Sequence, residues 1–174
     1  RDYDVNKAYQ YALNNATRSW VNGKRGGRKY GEEYRRQGWV AENRVANPTV
    51  KTEENEAKAS VQKTVEYAYS DYAVAQMANA LGDKENYQLL MERSKNYRNL
   101  FDKSTGFLRA RWEDGSWVTP YDPGIPYYVY MYRESNGWMS TFFAPQDPEG
   151  LIALYPNKAE FEAKLDAVFS TPFG

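Results

Sequence analysis

Ser60-Val61-Gln62-Lys63-Thr64-Val65-Glu66-Tyr67-Ala68-Tyr69-Ser70-Asp71-Tyr72-Ala73-Val74-Ala75-Gln76-Met77-Ala78-Asn79-Ala80-Leu81-Gly82-Asp83 is the run that decides the fold. Val61, Val65, Ala68, Tyr72 and Ala75 recur at helical spacing on one face, and Tyr67, Val74 and Leu81, seven apart, lie on another. Apolar groups around so much of the circumference predict a helix enclosed on most sides. Ser60 stands where a hydroxyl N-cap belongs and Gly82 where a helix stops. Asp83 then caps a second helix over 84–101, in which Tyr87, Leu90, Met91, Ser94, Tyr97 and Phe101 form one stripe while Glu85, Glu92, Arg93 and Lys95 lie mostly elsewhere. An all-round apolar helix joined by a tight turn to a one-sided one is an antiparallel hairpin with its first member inside. Within that inner helix Glu66 and Asp71 must be hydrogen-bonded or face a polar cleft, and a capped core partner is the plainer reading.

Such a hairpin is the repeating unit of an α/α toroid, so the expected fold class is mainly α: part of an α/α toroid of the six-hairpin barrel type, with a small β-hairpin. Upstream, Asp4 caps a short helix over 4–15 that Asn14-Asn15 ends, and residues 16–29 read as a loop with Gly23, Gly26 and Gly27 among basic residues. No phosphate-loop pattern is present there. A short helix over 31–37 is stopped by Gly38, and residues 38–59, with the acidic run Thr52-Glu53-Glu54-Asn55-Glu56, read as a solvated excursion. Downstream, 102–106 is a turn, and Phe107–Trp112 with Ser116–Val118 across Glu113-Asp114-Gly115 forms the hairpin. Pro120, Pro123, Gly124 and Pro126 then punctuate a loop leading to Tyr127, Tyr128, Tyr130 and Tyr132, with Asp122 as a turn residue. Three helices are expected to close the chain, starting at Asn136, Asp147 and Asn157, the last burying Phe161, Leu165, Val168 and Phe169.

Composition removes several classes of chemistry. The 174 residues carry 23 acidic and 23 basic side chains, so no net field draws the chain to nucleic acid or an anionic surface. With no cysteine and no histidine, thiol nucleophiles, Ser-His pairs and the usual zinc sets are excluded from these residues, and acid–base work falls to Asp, Glu, Lys or Tyr. No apolar run approaches the roughly 18 residues of a membrane span, and the start at Arg1-Asp2-Tyr3, without a signal-peptide pattern, reads as a processed or excised chain. The 16 Tyr, 7 Phe and 5 Trp suit cores, interfaces and carbohydrate-stacking sites alike. They are densest around Glu134-Ser135-Asn136-Gly137-Trp138-Met139-Ser140-Thr141-Phe142-Phe143-Ala144-Pro145-Gln146-Asp147, a carboxylate and an amide inside an aromatic run. On the residues alone, Glu134 reads as a surface or core-edge group and Asp147 as an N-cap, and Trp138 reads as well as a buried helix residue as a stacking one.

The order of motifs resembles the catalytic domain of glycoside hydrolase family 92, the calcium-dependent exo-acting α-mannosidases. The resemblance begins near Tyr3-Asp4-Val5-Asn6-Lys7-Ala8-Tyr9 and strengthens over 60–72. It continues through Gly106-Phe107-Leu108-Arg109-Ala110-Arg111 and Asp114-Gly115-Ser116-Trp117-Val118, then covers 134–147 and Glu149-Gly150-Leu151-Ile152. What it implies is a glycosidase with an N-terminal β-sandwich and an α/α toroid, removing terminal α-mannose from glycans with inversion. The family's Glu-Gly-Asn-Ala-Trp-Gln-Tyr motif opens on its general acid and falls on Glu134, with Asn136, Trp138 and Arg109 as implied substrate contacts. Inversion requires a second carboxylate to activate water, roughly 6.5–9.5 Å away; the family's base motif and its calcium ligands lie beyond residue 174. Residues 1–174 are therefore expected to be one partial toroid segment, lacking the sandwich, the rest of the toroid and the base. Alone it is expected to be inactive, with the remainder of its parent protein as partner, a mannose-containing glycan as substrate, and an extracytoplasmic location. Ser135 stands for the family's Gly, Met139-Ser140 for its Gln-Tyr, and Gln146 for its His. Lost hydroxyl-recognising groups alter discrimination, so a non-catalytic carbohydrate-binding or structural helical segment is the alternative.

Overall fold

Ser60–Ala80 forms one unbroken 21-residue helix, here α3, and the rest of the molecule is arranged on it. The computed structural model describes residues 3–18, 27–43, 58–124 and 131–171. Before α3 come α1 (Val5–Thr17), capped by Asp4, and α2 (Gly31–Gln37), ended by Gly38 in the left-handed region. After it come α4 (Lys84–Arg93), a 3-10 turn (Asn96–Leu100), strands β1 (Phe101–Asp102) and β2 (Phe107–Leu108), then α5 (Gly137–Ser140), α6 (Pro148–Ile152) and α7 (Lys158–Ser170). Among the described residues the fold is mainly helical with one small two-stranded antiparallel sheet, in which Phe101 faces Leu108 and Asp102 faces Phe107.

The expected enclosure of α3 is borne out by two apolar clusters, one on each half of the helix. Val61, Val65 and Ala68 pack with Tyr97, Leu100, Leu108, Val118 and Met131; Val74, Ala75 and Ala78 pack with Tyr9, Ala16 and Leu90 from α1 and α4. Asp71 is fully buried between them as a core partner: Arg28 lies at 2.6 Å, Arg93 at 2.9 Å, and the Tyr34 hydroxyl donates to it at 3.2 Å. Glu66 is exposed.

Several expectations need correction. Helix α1 runs through Asn14-Asn15 to Thr17. Ser60 does not cap α3: Ala59 holds the cap position with a left-handed φ of 51°, and the orphan amides are met from elsewhere in the chain. Residues 40–42 belong to the core, since Val40, Ala41 and Glu42 are buried; the acidic run 52–56 lies outside the described residues. The helix read over 84–101 breaks after Arg93 because tertiary donors take its carbonyls, Tyr34 at Arg93 O (3.1 Å) and Gln146 at Ser94 O (3.1 Å). Strand pairing also starts earlier than read, with β1 and β2 flanking the 103–106 turn. The predicted hairpin remains as a bridge between Arg111 and Trp117, with Trp112 N donating to Ser116 O and Val118 N to Ala110 O. The helix from Asn136 is a single turn. Phe161 is only partly buried, and Phe169 is 85% exposed. Asp122 is a turn residue as expected, accepting from Gly124 N at 2.8 Å, whereas Tyr127, Tyr128 and Tyr130, like the basic glycine loop at 19–26, lie outside the described residues.

Candidate active site

The first turn of α3 is the anchor. Its Ser60 amide donates to Glu42 Oε2 at 2.9 Å, and its Val61 amide donates to the Met131 carbonyl at 3.0 Å. Glu42 also accepts from the amides of Asn43 and Lys58. Burial raises its carboxyl above the ordinary range, against the pull of those backbone donors. The Met131 bond aligns the loop 131–136 with the start of the helix. Tyr132, buried next in line, fixes that loop from the other side, donating to Leu108 O at 2.6 Å with its hydroxyl 3.3 Å from that of Tyr121. Burial pushes both tyrosines well above the usual phenol range.

The loop presents Glu134 to solvent on a left-handed backbone, φ 52°. Among the described residues three non-glycines have positive φ, and all three gather at this end of α3: Ala59 precedes its first turn, Tyr30 lies against Lys58 and Lys63 at 4.7 and 5.9 Å, and Glu134 follows the loop segment pinned to Val61. Strain of this kind persists only where the surroundings over-determine it, and it concentrates at functional sites. Lys63 adds a half-buried cation. Burial lowers its ammonium; nearby Glu42 opposes this, while Lys29, Arg133 and Lys58 reinforce it. Glu134 is exposed and makes no hydrogen bond or ion pair among the described residues.

After Glu134 the chain is fastened tightly. Ser135 and Ser140 share a 2.6 Å hydroxyl bond, and Ser140 also donates to Gln62 Oε1 on α3 at 3.3 Å. Asn136, 7% exposed, caps α5 by accepting from Met139 N at 3.0 Å. Gly137 N donates to Pro123 O at 2.9 Å, and a Cβ on Gly137 would stand 2.9 Å from both Pro123 and the Tyr121 hydroxyl, so only glycine fits. Thr141, also buried, donates to Gly137 O at 2.6 Å and accepts from Leu108 N at 2.9 Å.

The other sequence-derived positions are distributed around this loop. Trp138 stands edge-on to Phe107, centroids 4.7 Å apart, with Lys164 of α7 lying 5.0 Å from its ring and 3.4 Å from that of Phe107. It lines an open cleft of about 680 Å³ between the 103–106 turn and α7, whose lining does not include Glu134. Arg109 spends its guanidinium on the protein, donating to Val118 O at 2.9 and 2.7 Å and to Asp102 at 2.9 Å, and it lies 4.8 Å over the Tyr121 ring. Met139 is 57% exposed, and Gln146 reaches Ser94 O. Asp147 caps α6 and is also held by Tyr97 at 2.8 Å and by Arg98. Sequence reasoning missed Glu42, Tyr30 and Lys63. The first two come from distant segments with no local pattern, and Lys63 looks like an ordinary solvated lysine until the fold brings other cations beside it. Among the described residues no group of three or more Asp, Glu, His or Cys side chains is gathered that could hold a metal ion, and no step here runs through one.

Comparison with known proteins gives one answer. The description that matches residues 1–173 is the glycosyl hydrolase family 92 catalytic domain. A family GH92 α-mannosidase from Bacteroides thetaiotaomicron superposes on 98% of the chain with TM-score 0.79 and 30% identity, and its complex with mannoimidazole on 100% with TM-score 0.82 and 28% identity. A family GH92 inverting mannosidase of the same organism covers 96% with TM-score 0.78 and 26% identity. A secreted glycosidase of Arthroderma benhamiae is 31% identical over 129 residues, 62% of this chain. The chain spans 16% of that relative's length and 20–21% of the chains in the three structures. By sequence and by fold, the chain belongs to glycosyl hydrolase family 92, within its catalytic domain.

Proposed function

We propose that this chain is the part of an exo-acting, inverting α-mannosidase that supplies the general acid, Glu134, within a partial α/α toroid. The observation that carries the reading is the exposed carboxylate of Glu134 on a left-handed backbone, held at the first turn of the enclosed helix α3. A strained position that glycine would occupy more cheaply is retained by a carboxylate, which is what a proton donor to a departing sugar oxygen requires. Asn136 and Trp138 shape the sugar-facing side, while Arg109, engaged with Asp102 and Val118, acts by holding Tyr121 and the 118–121 segment. The chain covers 20–21% of the solved relatives' length, and the complementary base that activates water is assigned to the remainder of the family domain. The substrate class is a mannose-bearing glycan, supported by the relatives' α-mannosidase activity and by the mannoimidazole complex of one of them. An extracytoplasmic location is supported by the secreted relative. No helix among the described residues is long and apolar enough to cross a membrane.

The test uses a protein carrying this chain within a complete family domain. Glu134→Gln should lower hydrolysis of mannosides with poor leaving groups by roughly 10²–10⁴-fold, and much less for activated leaving groups that need no protonation. Unchanged hydrolysis of poor leaving groups would remove Glu134 from the role. A second reading, carbohydrate binding without turnover, is favoured by the Ser135–Ser140 bond, which ties two of the residues that depart from the family motif to each other and to Gln62. Calorimetric binding of a mannoside to that complete protein with no turnover would select it.

A further inference from the structure

We propose that Asn136-Gly137 is a deamidation site gated by the packing of the loop that carries Glu134. In this reaction the Gly137 amide nitrogen loses its proton and attacks Asn136 Cγ; ammonia leaves, and a five-membered succinimide closes across the two residues. Water then opens either carbonyl of the ring, giving aspartate or isoaspartate. Amide and water are consumed, acid and ammonia are formed, and no other reactant is needed. Glycine in the second position offers the attacking nitrogen the least steric hindrance, since it carries no Cβ.

The fold both imposes and restrains this chemistry. Gly137 cannot be exchanged for a larger residue without a clash, because Pro123 and the Tyr121 hydroxyl stand 2.9 Å from where its Cβ would be. Yet the reacting groups are occupied. The Gly137 N–H is held by Pro123 O at 2.9 Å, the Asn136 Oδ1 by Met139 N at 3.0 Å, and Asn136 is 7% exposed. Release requires parting Gly137 N from Pro123 O and opening α5, a helix of four residues, with the Thr141–Gly137 bond that closes it. Units this small open at far lower cost than the whole domain. The rate at Asn136 is therefore the free-peptide rate multiplied by the open fraction of this loop. Isoaspartate, once formed, adds a backbone atom two residues after Glu134 and removes the α5 cap.

The chain is incubated in mildly alkaline buffer, and the peptide spanning 131–145 is followed by mass and by chromatographic separation of aspartate from isoaspartate. A synthetic 131–145 peptide supplies the unrestrained rate, and peptide mapping keeps Asn22-Gly23 separate. The expected result is a folded-chain rate at least about tenfold below the peptide's, with its logarithm rising linearly in urea well before global unfolding. Thr141→Val, which removes the hydroxyl holding Gly137 O, should raise the rate several-fold; should that variant not fold, the urea series on the unmodified chain decides. Equal rates in chain and peptide, or a rate insensitive to urea until the chain unfolds, overturn the proposal. The chemistry at Asn136 does not depend on what Glu134 does, so this outcome and that of the glycosidase test are separable.

Discussion

Glu134 occupies backbone space that favours glycine, with φ at 52°. Holding a side chain there costs about 1 kcal/mol, so Glu134→Gly should raise the melting temperature of the chain by about 2–4 °C while deleting the carboxylate. Thermal unfolding followed by circular dichroism checks it, and a lowered midpoint would mean that the side chain makes a structural contact. Gly137 is the opposite case. Gly137→Ala forces a methyl group against Pro123 and Tyr121 at 2.9 Å and should destabilise by about 1–3 kcal/mol, read from the urea midpoint. At single residues the sequence was legible where the partner is local: Asn136 as the α5 cap, Asp83 and Asp147 as caps, and Asn157 as the cap of α7. It was silent at Glu42, whose partners Ser60 and Lys58 lie across residues with no periodic pattern.

At the scale of elements, periodicity identified α3 and its turn into α4, because an apolar surface on most sides of a helix has few alternatives to enclosure. It did not identify where α4 ends. The stripe from Leu90 to Phe101 persists in burial, but the carbonyls of Arg93 and Ser94 are claimed by Tyr34 and Gln146, and the backbone tightens into a 3-10 turn. The cluster of Asp71 with Arg28 and Arg93 ties α3 to α4 and to the segment before α2. Asp71→Asn leaves two buried guanidinium groups without a counter-charge and should cost about 3–5 kcal/mol, measurable by denaturant unfolding. A loss below 1 kcal/mol would mean that water reaches the cluster.

For the whole molecule, pH dependence follows from carboxylates held below their ordinary range. Burial works against Asp102 and Asp147, but Ser104 with Arg109, and Arg98 with Tyr97, outweigh it; Asp83 is lowered by Asn86 and Tyr9. A group whose folded pKa is depressed contributes stability above its unfolded value, near 3.9 for Asp, and that stability is lost as pH falls through the folded value. Glu42 and Asp71 act in the opposite sense, since burial raises both, in Asp71 against the pull of Arg28 and Arg93, and their protonation favours the folded state. Three lowered groups against two raised groups predict a melting temperature that falls as pH drops below about 4, and a shallower fall in Asp102→Asn. A midpoint that rises below about pH 4 would show Glu42 and Asp71 dominating.

Sequence by itself determined the family, the enclosed helix and its turn, most caps and the position of Glu134, because each depends on residues within a few positions of one another or on a motif carried in order along the chain. Tertiary structure decided what surrounds Glu134. The left-handed backbone, the Met131 carbonyl on the α3 amide, the buried Glu42, the cations beside Lys63 and the glycine-only contact at Pro123 all join segments far apart in sequence. Packing free energy, summed over the whole molecule, is what allows strained and desolvated groups to persist at this one end of α3.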